Sequence, residues 1–323
     1  MTVQDLINKI DRLIDAEIAG LEKETRQNYL SIRRQVSAAV KSLWTDASIA
    51  PRIDDEIGGK VYTSLLEAKK YGRLEKLDET VKGVVRRGAV VDIQNLQNAG
   101  LRVYETQYNG YAWAYSQGYG LPITGGANVK LAAASIFSDF YGRTAAETVK
   151  KNLGKYADDI LAACTRELNQ GHSYSQIAKT IQGITDLDYK NALVVARTEA
   201  GRIQSDAYLD SVELLNETGV KSKKKWVSTI DSATREDHVS MDGKEADERG
   251  IFHLPDGSTG PSPRKTGRAA QDINCRCTAI TVIEGLKKPS ERRVRGEDIV
   301  PYETFTERNK RLSMTDVAKN RNV

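Results

Sequence analysis

Apolar side chains recur at helical spacing from the start of the chain. Ile7, Ile10, Ile14, Ile18 and Leu21 form one stripe, and Tyr29, Ile32, Val36, Val40 and Leu43 continue it. So narrow a stripe predicts one or two long amphipathic helices, roughly 60 Å in reach for about 40 residues, that must pack on something. Pro51 ends the pattern, and 51–60, with an acidic run and paired glycines, reads as a connector. A second helical stretch follows over 61–120, where Gly72, Gly83 and Gly88 argue against an unbroken helix. A third runs to Gly171 with Val149, Leu153, Tyr156, Ile160, Cys164 and Leu168 on one side. Cys164 on that stripe reads as a small core residue. Ser173 and Gln176 make the capping box of the next helix, and after 185–188 another helix runs to a cap at Gly219.

Beyond Gly219 the texture changes. The stretch KKKWVSTID reads as a strand, SATREDHVSMDG as a helical turn, GIFHLPDG as a short strand into a turn, and CRCTAITVIEG as a strand. The fold class is therefore α+β: a long, predominantly helical region over 1–185, a small α+β domain over 186–285, and a basic, partly flexible tail over 286–323.

Composition sharpens this picture. Apolar residues make up 39% of the 323 and charged ones 28%, a polar, helix-rich balance that suits a chain burying part of its surface on partners. The net charge of +4 sits in the tail, where 286–323 hold ten Lys and Arg against six Asp and Glu; a smaller basic knot is KSKKK at 221–225. No apolar run approaches the roughly 20 residues that span a bilayer. Three cysteines and a start without a signal-like apolar core point to a soluble protein made in a reducing cytoplasm.

Two features carry candidate chemistry. Tyr104, Tyr108, Tyr111, Trp113, Tyr115 and Tyr119 could stack on bases or dock a protein, but the helical spacing of 104, 108, 111 and 115 favours packing. The second is the pair Cys275 and Cys277. With His238 and His253 it makes a two-Cys, two-His set of the kind zinc accepts, although C-x-C is a tighter spacing than zinc sites usually show. A disulfide between residues i and i+2 of a strand is strained. Catalysis would draw on His238 beside Asp231, Arg235 and Asp237, or on a cysteine nucleophile, and no independent enzyme motif supports it. The packing alternative places Cys275, Cys277, Ala279, Thr281 and Ile283 on one face of a strand and Arg276, Thr278, Ile280 and Val282 on the other, with Arg276 free to meet an acid or a phosphate.

The order ARTEAGR, KWVSTIDSATREDHVSMDG, IFHLPDG, GPSPRK and INCRC resembles the phage Mu F-like, or phage head morphogenesis, family over about 190–285. The family's recurrent positions fall on Arg197, Thr198, Glu199, Trp226, Asp231, Arg235, His238, Gly243, Phe252, Pro263, Asn274, Cys275, Arg276 and Cys277. Where many relatives have a histidine or proline before the Asn-Cys pair, this chain has QDI. Some relatives carry a C-terminal toxin domain, and the short basic tail here leads us to expect none.

The resemblance implies a non-enzymatic minor capsid protein of a tailed bacteriophage. Such a protein is assembled in the host cytoplasm, lies inside the virion near the portal, and supports head assembly, packaging or genome ejection. Its expected partners are the portal protein, major capsid or scaffold protein, and double-stranded DNA bound without sequence preference, with no membrane in the assembled head. DNA contact would fall to Lys221, Lys223, Lys224, Lys225, Arg264, Lys265, Arg268 and the tail arginines. Docking would use the Ile7–Leu21 stripe or the tyrosine cluster. No cofactor is implied, and a structural zinc on His238, His253, Cys275 and Cys277 stays open. The alternative function is a metal-dependent hydrolase or nuclease centred on His238, Asp231, Cys275 and Cys277.

Overall fold

Helices dominate the molecule. A computed structural model describes residues 3–45, 56–57, 60–61, 65–121, 123, 129–139, 141–170, 174–283, 291–293 and 299–301. Pro51, Gly171, Ser173, the tail apart from two short strands, and the side chains of Leu43 and Leu168 lie outside the described residues. In chain order the elements are α1 (Val3–Thr45), β1 (Glu56–Ile57), β2 (Lys60–Val61), α2 (Leu65–Tyr119), α3 (Val129–Ile136), α4 (Ala145–Asn169) and α5 (Tyr174–Asn216). There follow β3 (Ser222–Val227), α6 (Glu236–Met241), β4 (Phe252–His253), β5 (Thr259–Gly260), α7 (Ala269–Asp272), β6 (Thr278–Ile283), β7 (Glu291–Arg293) and β8 (Ile299–Pro301). The α+β class expected from the pattern is the one observed. Among the described residues no helix is long and apolar enough to cross a membrane.

The chain packs as two compact units that interleave along the sequence, one of 1–20, 97–142 and 197–323, the other of 21–96 and 143–196. The division at 185 and 285 follows chain order; packing follows the helices, since α1, α2 and α5 each contribute residues to both units.

The all-helical unit buries Tyr29, Ile32, Val36 and Val40 from α1, Leu77, Val81, Val84 and Val85 from α2, Leu153, Tyr156, Ile160 and Cys164 from α4, and Ile177 and Ile181 from α5. These are the predicted stripes meeting one another. Burial pushes the Cys164 thiol up to about 12, as befits an inert core residue. Gly88 does not break α2: it lies against Ile32, where an added Cβ would come within 2.4 Å of Ile32 Cδ1, so its missing side chain lets α1 approach. The third helical stretch divides into α3 and α4. Thr144 and Glu147 form a capping box at the division, with Thr144 N–H donating to Glu147 Oε2 at 2.8 Å and Glu147 N–H donating to Thr144 Oγ1 at 3.3 Å. Conversely α5 runs unbroken through 185–188 and stops at Asn216, with Gly219 at φ +81 closing the following turn.

In the mixed unit, β3 and β6 pair antiparallel with Trp226 opposite Ala279 and Lys224 opposite Thr281. The expected inward face is observed, since Cys275, Cys277, Ala279, Thr281 and Ile283 are all buried; on the other face Arg276, Thr278 and Val282 are partly exposed, but Ile280 is buried as well, so that face is only partly open. One core holds Ile7, Ile10 and Ile14, Tyr104, Tyr111 and Tyr115, Ile203 and Tyr208, and Trp226, Phe252, Cys275 and Cys277. The tyrosine hydroxyls find partners inside it; Tyr115 donates to Thr281 Oγ1 at 2.9 Å and Tyr111 to Asp11 Oδ1 at 3.1 Å. Packing is thus the use of the cluster, and the expectation of an open docking face on Ile7, Ile10, Ile14 or these tyrosines is corrected. They are already buried in this core, with Tyr115 on Thr281 of β6, Tyr111 on Tyr208 of α5 and Ile10 on Gly110 of α2, while Trp113 of the cluster stays exposed.

Candidate functional site

The site is built around Trp226. Its indole is fully buried, donates to Ser228 Oγ at 3.1 Å, and meets His238 and Phe252 edge to face with ring centroids 5.4 and 5.3 Å away. His238 stands on α6, whose start is set by the turn at Asp231, where Ala233 N–H donates to Asp231 Oδ1 at 3.0 Å. Gly243, at φ +80 after α6, sends its N–H back to Trp226 O at 2.9 Å.

Cys275 and Cys277 reach His238 from the segment entering β6. Their sulfurs lie 3.6 and 3.4 Å from His238 Nδ1, and all three side chains are buried. The other ring nitrogen, Nε2, is 2.8 Å from Gln271 Oε1. Gln271 has no freedom to turn its amide: its NH2 donates to Asp237 Oδ2 at 2.9 Å and Asp256 Oδ2 at 2.8 Å. The carbonyl end therefore faces the imidazole, Nε2 carries the proton, and the Nδ1 lone pair points at the two sulfurs. The hydrogen bond between the thiols holds Cys277 well below the ordinary thiol range and raises Cys275 above it.

The segment around this pair is pinned from three sides. Asn274, at φ +56, donates its N–H to Thr198 Oγ1 at 2.9 Å. Arg235 donates to Ile273 O at 2.6 Å. Arg276 turns away from the cysteines and grips Asp231 through both guanidinium NH2 groups, the longer bond being 2.7 Å. Pro263 O accepts from Ser205 Oγ at 2.9 Å. Glu199 takes the buried Arg202 guanidinium at 3.0 Å, and burial raises its carboxyl above the ordinary range.

Several expected site residues do not join the group. His253 is corrected out of the metal set: Phe252 occupies the inward face of two-residue β4, so the next side chain faces out, where His253 Nε2 meets Asp247 Oδ2 at 2.9 Å. Asp231 is taken up by Arg276 and stands apart from the imidazole and sulfurs as a catalytic partner. Arg264 is corrected out of the DNA set, because its guanidinium is buried, donating to Cys275 O at 2.9 Å, Gly201 O at 2.8 Å and Gln204 Oε1 at 2.7 Å. Lys224 is half-buried with its ammonium on Pro261 O at 2.6 Å, and burial brings it down to about 8. Lys265 pairs with Asp206 at 2.6 Å, Arg268 with Asp256 at 3.0 Å, and Lys223 lies 3.9 Å from Glu245.

Sequence reasoning passed over Arg202, Gln271 and Asp272. Asp272 is fully buried and accepts from Thr266 N–H, Thr266 Oγ1, Gly267 N–H and Tyr141 Oη, all within 3.0 Å. For Gln271 and Asp272 the available signal was their place in AAQDINCRC, two polar residues shortly ahead of a buried pair; Arg202 carried no such signal.

Comparison with known proteins places the architecture. Residues 158–280 match the family described as Phage Mu protein F like protein. Minor head protein GP7 of Bacillus phage SPP1 is 25% identical over 309 residues, covering 93% of this chain and 95% of that protein. The NAD(+)–arginine ADP-ribosyltransferase EFV of Enterococcus faecalis is 37% identical over 167 residues, 50% of this chain and 34% of that protein. The chain thus matches about a third of that transferase's length. No solved structure matches significantly.

Proposed function

We propose that the chain is a minor head protein of a tailed bacteriophage, acting in head morphogenesis and housed in the virion. The observation that carries this reading is the near end-to-end match to the SPP1 minor head protein, which runs through the helical unit as well as the segment that matches the Mu F-like family. A shared domain alone would fit any protein that borrowed it. Seated near the portal, the chain would contact the portal protein, with major capsid or scaffold protein as further partners, and would support packaging or ejection. Purified heads probed by cross-linking and mass spectrometry test this: peptides of the chain joined to portal peptides are expected, and heads lacking the chain overturn the reading.

DNA contact is a narrower matter than the sequence suggested. Of the seven cations, Arg264 is internal, Lys224 and Lys225 are half-buried, and Lys223, Lys265 and Arg268 have acidic neighbours, which leaves exposed Lys221, with the basic tail composition as the other candidate source of phosphate contacts. Binding to a random duplex should weaken at least tenfold between 50 and 200 mM salt, as counterion release requires for a few phosphate contacts. A flat response removes DNA from the partners.

The higher identity to the transferase supplies a second reading, ADP-ribosyl transfer to arginine. It is the weaker one, because the match covers 34% of that protein and the best reactive cluster here, His238 with the two cysteines, is shut from solvent. Labelled NAD+ incubated with the full chain and an arginine-bearing acceptor should give no transfer.

A further inference from the structure

We propose that His238 Nδ1, Cys275 Sγ and Cys277 Sγ bind one zinc-class ion, a soft divalent metal that fastens α6 to the segment entering β6. The three donor atoms lie within 4.8 Å of one another. Zinc–sulfur and zinc–nitrogen bonds of about 2.3 and 2.05 Å at a tetrahedral angle place sulfur and nitrogen about 3.6 Å apart. The observed separations are 3.4 and 3.6 Å. A hydrogen-bonded thiol explains one of these distances, since a single Nδ1 lone pair points at one S–H. A shared ion explains both.

The surroundings are those a bound imidazole needs. A ligating histidine donates its second N–H to a fixed acceptor, which sets the tautomer and aims the lone pair at the metal. Gln271 fills that role and is itself locked by Asp237 and Asp256. Two thiolates cancel a divalent charge, so the loaded site is neutral where it is buried. Thiolate and imidazole together select zinc over the hard cations magnesium and calcium. The buried Arg264, holding Cys275 O at 2.9 Å, fixes the backbone that carries the first sulfur. No fourth His, Cys, Asp or Glu joins the group among the described residues, so the remaining position falls to a small exogenous donor. With all three protein donors buried, the role is to hold the domain together.

The proposal stands whether or not the chain is a head component. The test uses the full chain, stripped with a chelator and titrated with zinc chloride against a competing dye, with cobalt chloride as the spectroscopic probe. One zinc per chain, thiolate-to-cobalt absorption in the near ultraviolet, and a higher unfolding temperature with zinc are expected. A folded, stripped protein that takes up no zinc overturns the proposal, as does unchanged uptake in a Cys275→Ser, Cys277→Ser variant. Should that variant not fold, Gln271→Leu decides: stoichiometry is kept and affinity falls about 10- to 100-fold if the amide orients a ligand, whereas unchanged affinity rejects the site.

Discussion

Asp92 in the all-helical unit and Asp272 in the mixed unit are the same residue, both buried, and they live in opposite conditions. Asp272 accepts four hydrogen bonds from a loop and a tyrosine. Asp92 accepts one, from Asn28 Nδ2 at 2.7 Å, beside a cavity of about 20 Å³ lined in part by Leu21, Thr25 and Tyr29. Burial pushes the Asp92 carboxyl up to about 7 against that single compensating bond. Burial by itself therefore does not define the state of a carboxyl. The donors that the local backbone can supply do, and a turn ending in a short helix supplies more of them than the side of a long helix, whose N–H groups are already spent.

The same substitution should act in opposite directions at the two sites. Asp272→Asn puts an NH2 among four donors and leaves at least one of them unmatched, which should cost about 4 kcal/mol in urea unfolding at pH 8. A loss below about 1 kcal/mol would break the contrast. Asp92→Asn keeps an acceptor for Asn28 and removes the buried charge, so it should stabilise the protein at pH 8 by about 3 kcal/mol. The sign follows from a folded value raised above the unfolded one: the folded state keeps its proton longer, so wild-type stability falls as pH rises from about 4 to 7 and is level above. Asp188, raised to about 6 by burial, contributes a slope of the same sign. The wild-type-minus-variant difference isolates Asp92: it should vanish near pH 4 and be complete above pH 7.

Two smaller effects sharpen the comparison. Gly88→Ala drives a methyl into Ile32 in the all-helical unit and should cost about 2 kcal/mol despite the gain in helix propensity, with the loss largely relieved by Ile32→Val in the same chain. In the mixed unit Arg276→Lys exchanges a two-pronged grip on Asp231 for a point charge. About 1 kcal/mol should be lost, with little further change on adding salt, because the pair is partly buried.

The two units also differ in how far they could be read in advance. Helical stripes such as Ile32, Val36 and Val40, or Leu153, Tyr156 and Ile160, are local spacing, and local spacing survives into the fold. So did the inward face of β6, because strand alternation needs only the strand, whereas Ile280 on the other face is buried too. What failed needed a partner distant in sequence. Gly88 reads as a helix breaker until Ile32 is beside it. His253 reads as a ligand until Trp226 is beside Phe252, which takes the inward face of the strand. Arg264 reads as a phosphate contact until the carbonyls of Gly201 and Cys275 enclose it. His238, Cys275 and Cys277 were singled out as residue types, whereas Gln271, which orients the imidazole, carries no chemical label of its own and owes its role wholly to Asp237 and Asp256.

The inward guanidinium of Arg264 has a bearing on how the domain opens. It bridges the 261–268 loop, Gly201 and Gln204 on α5, and the carbonyl of Cys275, with an added Cβ on Gly201 falling within 2.8 Å of its Nε. Releasing the loop would strip three hydrogen bonds from a charge with little water at hand, so fraying at its edge is not a low-energy excursion. Loop, helix and the approach to β6 should then lose amide protection together, as one cooperative unit in hydrogen exchange, and a protease should find no early foothold in the surface loop that carries Arg264.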